Sequence, residues 1–334
     1  MHDCITRFLD NSDILAVRVV CLDFSKAFDK IQHNRLLNYL HDNGINGGCL
    51  RWLRDYLSRR RMRVKLDGKY GPQFDVLSGV PQGSILGPYL FAAFMGSLSR
   101  YVDAELVIYA DDVSLIEPLT RQNCHSAKLA EIEAWITQSC FALNYCKSKQ
   151  MILSRSTTRH NNFTYPAIEV VDDIKILGVH WDNRLTWEKH FDKIIKSCSQ
   201  RLYIIRILKR VLPNQTLILV YHSLITSLLL YAAPLFSWLP CKIEHQLEKF
   251  HRRAHRLICS ESCTCAAFPP LASVRKKRAV TFLICCENFK DHPLHPFVPQ
   301  RLPRSGHFRL PCASTSRRLH SFFPHTCQLA NFPS

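Results

Sequence analysis

The 334-residue chain is short of acid: 27 Asp and Glu stand against 44 Lys and Arg, a formal charge of +17 with all 16 histidines neutral. That imbalance says nothing about fold, but it points to a polyanionic partner, nucleic acid first and an anionic membrane surface second. The opening stretch, Met1 to Asp10, holds Asp3, Arg7 and Asp10 and lacks the apolar run of a signal peptide. Fifteen cysteines in a long chain without such a leader, and in odd number, argue against a disulfide framework. Reduced thiols and an intracellular location, nucleus and/or cytoplasm, are expected. Structural zinc is not: Cys263, Cys265, Cys285, Cys286, His292 and His295 miss the paired-cysteine and spaced-histidine pattern such sites use. No internal repeat is present. Wholesale disorder is excluded, because 47% of the residues are hydrophobic and 21% charged, enough for one large or two to three smaller domains.

Charge is also missing locally. Val211 to Cys241 contains no Asp, Glu, Lys or Arg, and Leu217 to Leu239 has the length of a membrane span, roughly 20 apolar residues. Against a span stand His222, Ser223, Thr226, Ser227, Pro234 and Ser237, with basic residues at both flanks (Lys209 and Arg210, then Lys242 and Arg252). The segment is read as a buried helix ending near Pro234, and no membrane partner is expected.

Leu15 to Leu22 is a β-branched apolar run broken only by Arg18, the pattern of a buried strand, and it ends on Asp23. Asn34 to Asp42 and Gly48 to Ser58 read as helices, and Arg61 to Leu66 with Phe74 to Leu77 flank the Asp67-Gly68 turn. Ser78 to Ser84 is a Gly- and Pro-punctuated loop opening an apolar helix, Ile85 to Leu98. Between Glu105 and Ile116 two apolar runs flank Asp111-Asp112, as in a hairpin carrying acids at its turn. A helix over 121 to 139, a strand over Met151 to Ser154 and the stretch Ile174 to His180 complete an α+β alternation. From about Thr186 to Ser260 the pattern is almost wholly helical, and the tail from 261 is rich in Pro, His, Cys and Arg with little periodicity.

Asp23, Asp111 and Asp112 would meet if their strands were neighbours. Three clustered carboxylates repel unless cations lie among them, and hard oxygen donors suit Mg²⁺, which takes one or two carboxylates together with substrate phosphates. Two such ions clamp the attacking and leaving oxygens of a phosphoryl displacement. A basic surface to hold a nucleic-acid backbone and an acidic centre to hold metal are then parts of one design.

Leu22-Asp23-Phe24-Ser25-Lys26-Ala27-Phe28-Asp29, followed by His33 and Leu36-Leu37, closely resembles the first catalytic motif of reverse transcriptases from non-LTR (LINE-type) retrotransposons. Gly79 to Pro88 resembles their template- and nucleotide-positioning loop, Tyr109-Ala110-Asp111-Asp112 their second catalytic motif, and Leu143-Asn144 with Lys147-Ser148-Lys149 the motif after it. Leu177-Gly178-Val179, with Asp182, Leu185, Trp187 and His190, resembles the primer grip, and Ser321-Phe322-Phe323-Pro324 a short C-terminal signature of such reading frames. Five motifs in order make the likeness specific.

The resemblance implies a right-hand polymerase palm, an antiparallel sheet with packed helices, over residues 1–185, a helical thumb over 186–260 and a poorly ordered tail over 261–334. With 22 residues before Asp23, it implies a chain lacking most of the fingers and any endonuclease. It further implies an RNA-directed DNA polymerase that adds dNTPs to a DNA primer on an RNA template with two Mg²⁺ (or Mn²⁺) ions. Asp23, Asp111, Asp112 and the Phe24 carbonyl would bind metal, and Lys147 or Lys149 would neutralise or protonate the pyrophosphate. Phe28 matches an aromatic gate against the ribose 2′-hydroxyl; Gln82 and Gly83 would approach the nascent pair; Leu177 and Gly178 would hold the primer. Arg51, Arg54, Arg59, Arg60, Arg61, Arg63 and Lys65 form a basic run suited to template or primer phosphates. Lys249, Arg252, Arg253 and Arg256 would serve the thumb, and Arg275 to Arg278 reads as a nuclear-localisation run. A second reading is a truncated relic that only binds nucleic acid.

Overall fold

The apolar run read as a buried strand is one: β1 (Ala16–Leu22) is covered along almost its whole length and occupies the centre of a five-stranded sheet. The computed structural model describes residues 1–120, 128–155, 163–259, 268–303 and 305–332. These divide into two compact units, residues 13–174 and residues 1–12 together with 175–334.

In residues 13–174, β1 is followed by the single turn α2 (Ala27–Lys30) and by helix α3 (His33–Asp42), once the leading α1 (His2–Asp10) is counted. Next come α4 (Gly47–Leu57), the ribbon β2 (Arg60–Leu66) and β3 (Lys69–Val76), then α5 (Leu86–Met95) and α6 (Leu98–Tyr101). β4 (Glu105–Tyr109), β5 (Asp112–Leu119), α7 (Lys128–Ser139), β6 (Lys149–Ser154) and β7 (Glu169–Val170) complete it. The sheet order is β4-β5-β1-β6-β7. All pairings are antiparallel except β6 with β7, so the expected antiparallel sheet carries one short parallel edge. One face of the sheet packs on α3, α4, α5 and α7 through Leu36, Leu40, Leu57, Phe91, Phe94 and Trp135. The result is a mixed α+β fold, as expected. The helix expected over 121 to 139 is observed from Lys128, its start lying outside the described residues.

Arg18, the one polar break in β1, is buried opposite Glu117 of β5. Its Nε donates to Glu117 Oε2 at 2.8 Å, Tyr165 lies 3.8 Å from the guanidinium, and the Tyr165 hydroxyl donates to the same carboxylate at 3.0 Å. Each charge is thereby paired where no water reaches it.

The division between the units falls within β8 (Asp173–Ile176), which pairs with β9 (Val179–Asp182). Helices then dominate: α8 (Glu188–Leu208), α9 (Asn214–Tyr221), α10 (Ser227–Leu229), α11 (Cys241–Ile258), α12 (Leu271–Asn288), α13 (Ser316–Leu319) and α14 (Phe322–Asn331). The charge-free segment is broken by a π-helical turn at His222–Thr226 and stops before Pro234; among the described residues no helix is long and apolar enough to cross a membrane. α11 shows why this region reads as helix, because Ile243, Leu247, Phe250, Ala254 and Ile258 line one buried stripe.

The tail departs from expectation. Residues 260–267, with Cys263 and Cys265, lie outside the described set, but Ala279, Leu283, Phe308, Phe322, Phe323 and Cys327 form a second core. Its apolar residues come from α12, an irregular segment and α14, so no one stretch shows periodicity. Arg275 is buried and paired with Glu244 at 2.9 Å, so it is not available to a nuclear-localisation run over Arg275 to Arg278. The tail also holds the chain's start: Arg318 pairs with Asp3 at 2.8 Å, and the amides of Ser314 and Thr315 donate to Asp10. Twelve described cysteines are all free thiols.

Candidate active site

β1 pairs with β5 in a register that sets Leu22 against Val113. The β1–β5 ladder ends on that pair, so Asp23 directly follows its last β1 residue and Asp112 directly precedes its β5 partner, near enough for the Asp23 charge to act on Asp112. Asp111 sits in the two-residue turn Ala110-Asp111 between paired Tyr109 and Asp112, and Ala110 adopts φ +53, a left-handed conformation unusual for a residue with a Cβ. Asp111 and Asp112 are exposed and Asp23 is half-buried. Partial burial, then the charges of Asp111 and Asp23, raise the pKa of Asp112 above the ordinary carboxylate value. Behind the acids Cys21 faces Ser114, Sγ to Oγ 3.6 Å, and burial pushes the thiol up to about 11.

Asp23 is held by its backbone. Its N–H donates to Ser148 Oγ at 3.1 Å, its carbonyl accepts from the Asn144 amide at 2.8 Å, and Phe24 bridges to Leu143. Asn144 and Ser148 therefore fix the strand end that carries the acid. Both fall in the quoted motif, but Asn144 acts through its backbone amide and Ser148 only as a hydroxyl accepting from a main-chain amide, roles that no residue type announces. Lys147 is exposed in the intervening turn, and Lys149 lies 4.0 Å from Glu169.

The Pro-Gln-Gly loop is fastened to the segment after Asp23. The Gly79 amide donates to the Ile31 carbonyl at 2.7 Å, the Val80 amide to the Phe28 carbonyl at 2.9 Å, and Gln82 Nε2 to Asp29 Oδ1 at 2.8 Å. Gly79 has φ +79, and a Cβ there would lie 2.7 Å from the Asp29 Cα and the Phe28 oxygen, so only glycine fits. From the other side His33 Nε2 donates to the Gly79 carbonyl at 2.9 Å, and the Arg60 guanidinium donates to the Ser78 and Gly79 carbonyls. Burial, followed by the Arg60 charge acting against the Gly79 bond, holds the His33 pKa below its usual value. Gln82 and Gly83 are exposed at the loop's crest. Phe28 is half-buried and stacks on Phe91 of α5, centroids 3.9 Å apart and planes within 11°.

The basic run separates into two kinds of residue. Arg60 is spent on the loop, whereas Arg59, Arg61, Arg63 and Lys65 are exposed, Arg61 facing Asp75 at 3.2 Å. Leu177 and Gly178 belong to the other unit, in the β8 to β9 turn, where the Tyr231 hydroxyl donates to the Leu177 carbonyl at 2.7 Å. That unit also holds a groove of about 530 Å³ between α8 and α11, lined by Ile195, Phe250, Lys249, Arg253 and Arg256, with Asp192 its acid.

The donor chemistry at the Asp23 edge is all carboxylate oxygen, which suits a hard divalent cation. Among the described residues no three His, Cys, Asp or Glu side chains are gathered closely enough to cage an ion by themselves. Partial burial together with the repulsion of Asp111 and Asp23, which raise Asp112, is a condition a bound cation would relieve.

The reverse transcriptase (RNA-dependent DNA polymerase) family profile matches residues 7–181, just over half of the chain. The chain belongs to that family, in its non-LTR retrotransposon branch. It is 27% identical over 209 residues to "Probable RNA-directed DNA polymerase from transposon BS" of Drosophila melanogaster, covering 56% of this chain and 22% of that protein. It is 28% identical over 187 residues to "Probable RNA-directed DNA polymerase from transposon X-element" of the same organism, covering 52% and 20%. The chain thus spans about a fifth of the length of these relatives. Likeness to the apo telomerase structure from Candida tropicalis is weak, with TM-score 0.45 and 13% identity over 84% of this chain and 47% of that one.

Proposed function

We propose that the chain is the palm and thumb of an RNA-directed DNA polymerase, joining a dNTP to a DNA primer 3′-hydroxyl on an RNA template. The observation that carries this reading is the β1–β5 register, which ends at Leu22 and Val113 and so brings the adjoining Asp23 and Asp112 to one end of the sheet, with Asp111 in the adjacent turn. Asp23, Asp111 and Asp112, with the Phe24 carbonyl, are the residues that would hold Mg²⁺ or Mn²⁺. Such ions, when bound, neutralise the phosphates and polarise the attacking hydroxyl. The primer oxygen attacks the α-phosphorus, the bond to the β-phosphate oxygen breaks, and pyrophosphate leaves. Lys147 would neutralise or protonate that leaving group.

Phe28 acts as the gate against a ribose 2′-hydroxyl, and its stack on Phe91 supports this because a gate needs a ring that does not turn away. Gln82 and Gly83 meet the nascent pair from a loop that Asp29, His33 and Arg60 hold still. Arg59, Arg61, Arg63 and Lys65 bind phosphates, and Leu177 and Gly178 the primer.

Primer extension on a primed RNA template with Mg²⁺ and dNTPs tests the proposal. Extension is expected, and Asp111→Ala should reduce it by at least about a thousandfold, the scale of losing a metal ligand's transition-state stabilisation. No extension at any protein concentration rejects the polymerase reading and, if nucleic acid still binds, leaves the relic that only binds it.

A further inference from the structure

Tryptophan is seldom left in water, since its ring is the largest apolar surface a side chain offers. Trp52 of α4 is nonetheless 55% exposed, and Tyr56, one turn on, lies parallel beneath it with centroids 5.5 Å apart and planes within 15°. The helix buries its other side through Leu53 and Leu57, so the outward ring is not filling a core. Tyr70 repeats the arrangement on the β2 to β3 ribbon: it is 55% exposed, with the Arg63 guanidinium 3.8 Å from its ring centre.

The setting is strongly positive. Residues 51–70 contain eight Lys and Arg against two Asp. Arg60 is turned inward to the loop, but Arg51, Arg54, Arg59, Arg63 and Lys65 are exposed and, among the described residues, paired with no acid. Both strands of the ribbon are open to solvent along nearly their whole length. Exposed flat rings set among cations match the chemistry of an unpaired nucleic-acid strand, whose base faces stack and whose phosphates are neutralised. A paired duplex hides its base faces and leaves the rings without partners.

We propose that α4 and the β2 to β3 ribbon form a single-strand platform, with unpaired bases stacking on Trp52 and Tyr70 and phosphates held by Arg51, Arg59, Arg63 and Lys65. This rests on the reading above that the polyanion is nucleic acid, and it adds the aromatic residues and the single-stranded state of the ligand. Ribose and deoxyribose strands share the chemistry.

Fluorescein-labelled oligo(dT) and oligo(rU) of about 12 nucleotides, within the span such surfaces cover, are titrated with the full chain and followed by anisotropy. Trp52→Ala and Tyr70→Ala should each weaken binding roughly five- to a hundredfold, and Trp52→Phe should restore most of it. Comparison of the two probes tells which sugar is preferred. Both side chains are exposed, and unchanged thermal melting of the variants verifies the fold. Unaltered affinity in the double variant overturns the proposal, as does a duplex of equal length competing as well as the single strand, or a chain dimer that requires Trp52. Anisotropy needs no turnover. A chain that fails to extend primers yet loses single-strand binding with Trp52 keeps the platform; one that extends primers and binds regardless of Trp52 and Tyr70 loses the platform alone.

Discussion

Asp29 Oδ1 accepts a 2.8 Å hydrogen bond from the Gln82 amide, joining the segment after one candidate catalytic acid to the loop that would contact the nascent pair. The two residues are 53 positions apart, and the same junction is closed on its inner side by Gly79 lodged against Asp29 and Phe28. Asp29→Ala should therefore free Gln82 without loosening Gly79. For a chain that extends primers, the expected result is a higher dNTP KM with thermal stability nearly unchanged.

Gly79→Ala should act in the opposite way. The added methyl meets backbone atoms at 2.7 Å, which cannot move aside as a side chain does, and the positive φ adds strain. A loss of about 2–4 kcal/mol is expected, in the range of overpacking and backbone strain combined, measured as a shifted urea midpoint at constant slope.

Arg18 and Glu117 are both buried, so removing one strands the other. Arg18→Met should cost about 3–5 kcal/mol, while pairing it with Glu117→Leu should recover much of that loss. A double-mutant cycle from denaturant unfolding checks the sign of the coupling.

Asp112 gives a pH signature. Its folded pKa is raised, so the protonated form is favoured in the fold, and ionisation opposes folding above that pKa but not below the ordinary Asp value. Asp112→Asn in metal-free buffer should thus raise Tm slightly at neutral pH, with the difference fading as pH falls through the folded pKa towards the ordinary value. Added Mg²⁺ should raise the Tm of the unsubstituted chain and not of the variant.

Asp3→Ala should expose how far the tail supports the chain's beginning. It leaves the nearly buried Arg318 guanidinium without its carboxylate and removes a partner of Ser321 Oγ. A loss of about 1–3 kcal/mol is expected, together with faster proteolysis between α1 and β1.

Much of this was legible from the chain alone, for local reasons. The β-branched run before Asp23, the helix around Leu36 and Leu40, and the acids between two apolar runs announce themselves through side-chain period and turn chemistry, which neighbouring residues decide. The order of motifs, and with it the family, is equally a property of sequence. Arg60 was not legible: nothing in a run of arginines says which one turns inward to a carbonyl. Trp52 was missed among the charges around it, since a lone aromatic on a helix reads as core until its face is known. The tail's core was hidden because α12, Phe308 and α14 each supply only a part of it. The approach of Asp23 to Asp112, the pairing of Arg18 with Glu117 across 99 positions and the clasp of Asp3 by Arg318 depend on strand register and on packing between distant segments. Sequence by itself determined which elements form and which acids they carry. Only the tertiary structure decided which of those groups meet, because a hydrogen-bond ladder or a shared core selects partners by space and not by order along the chain.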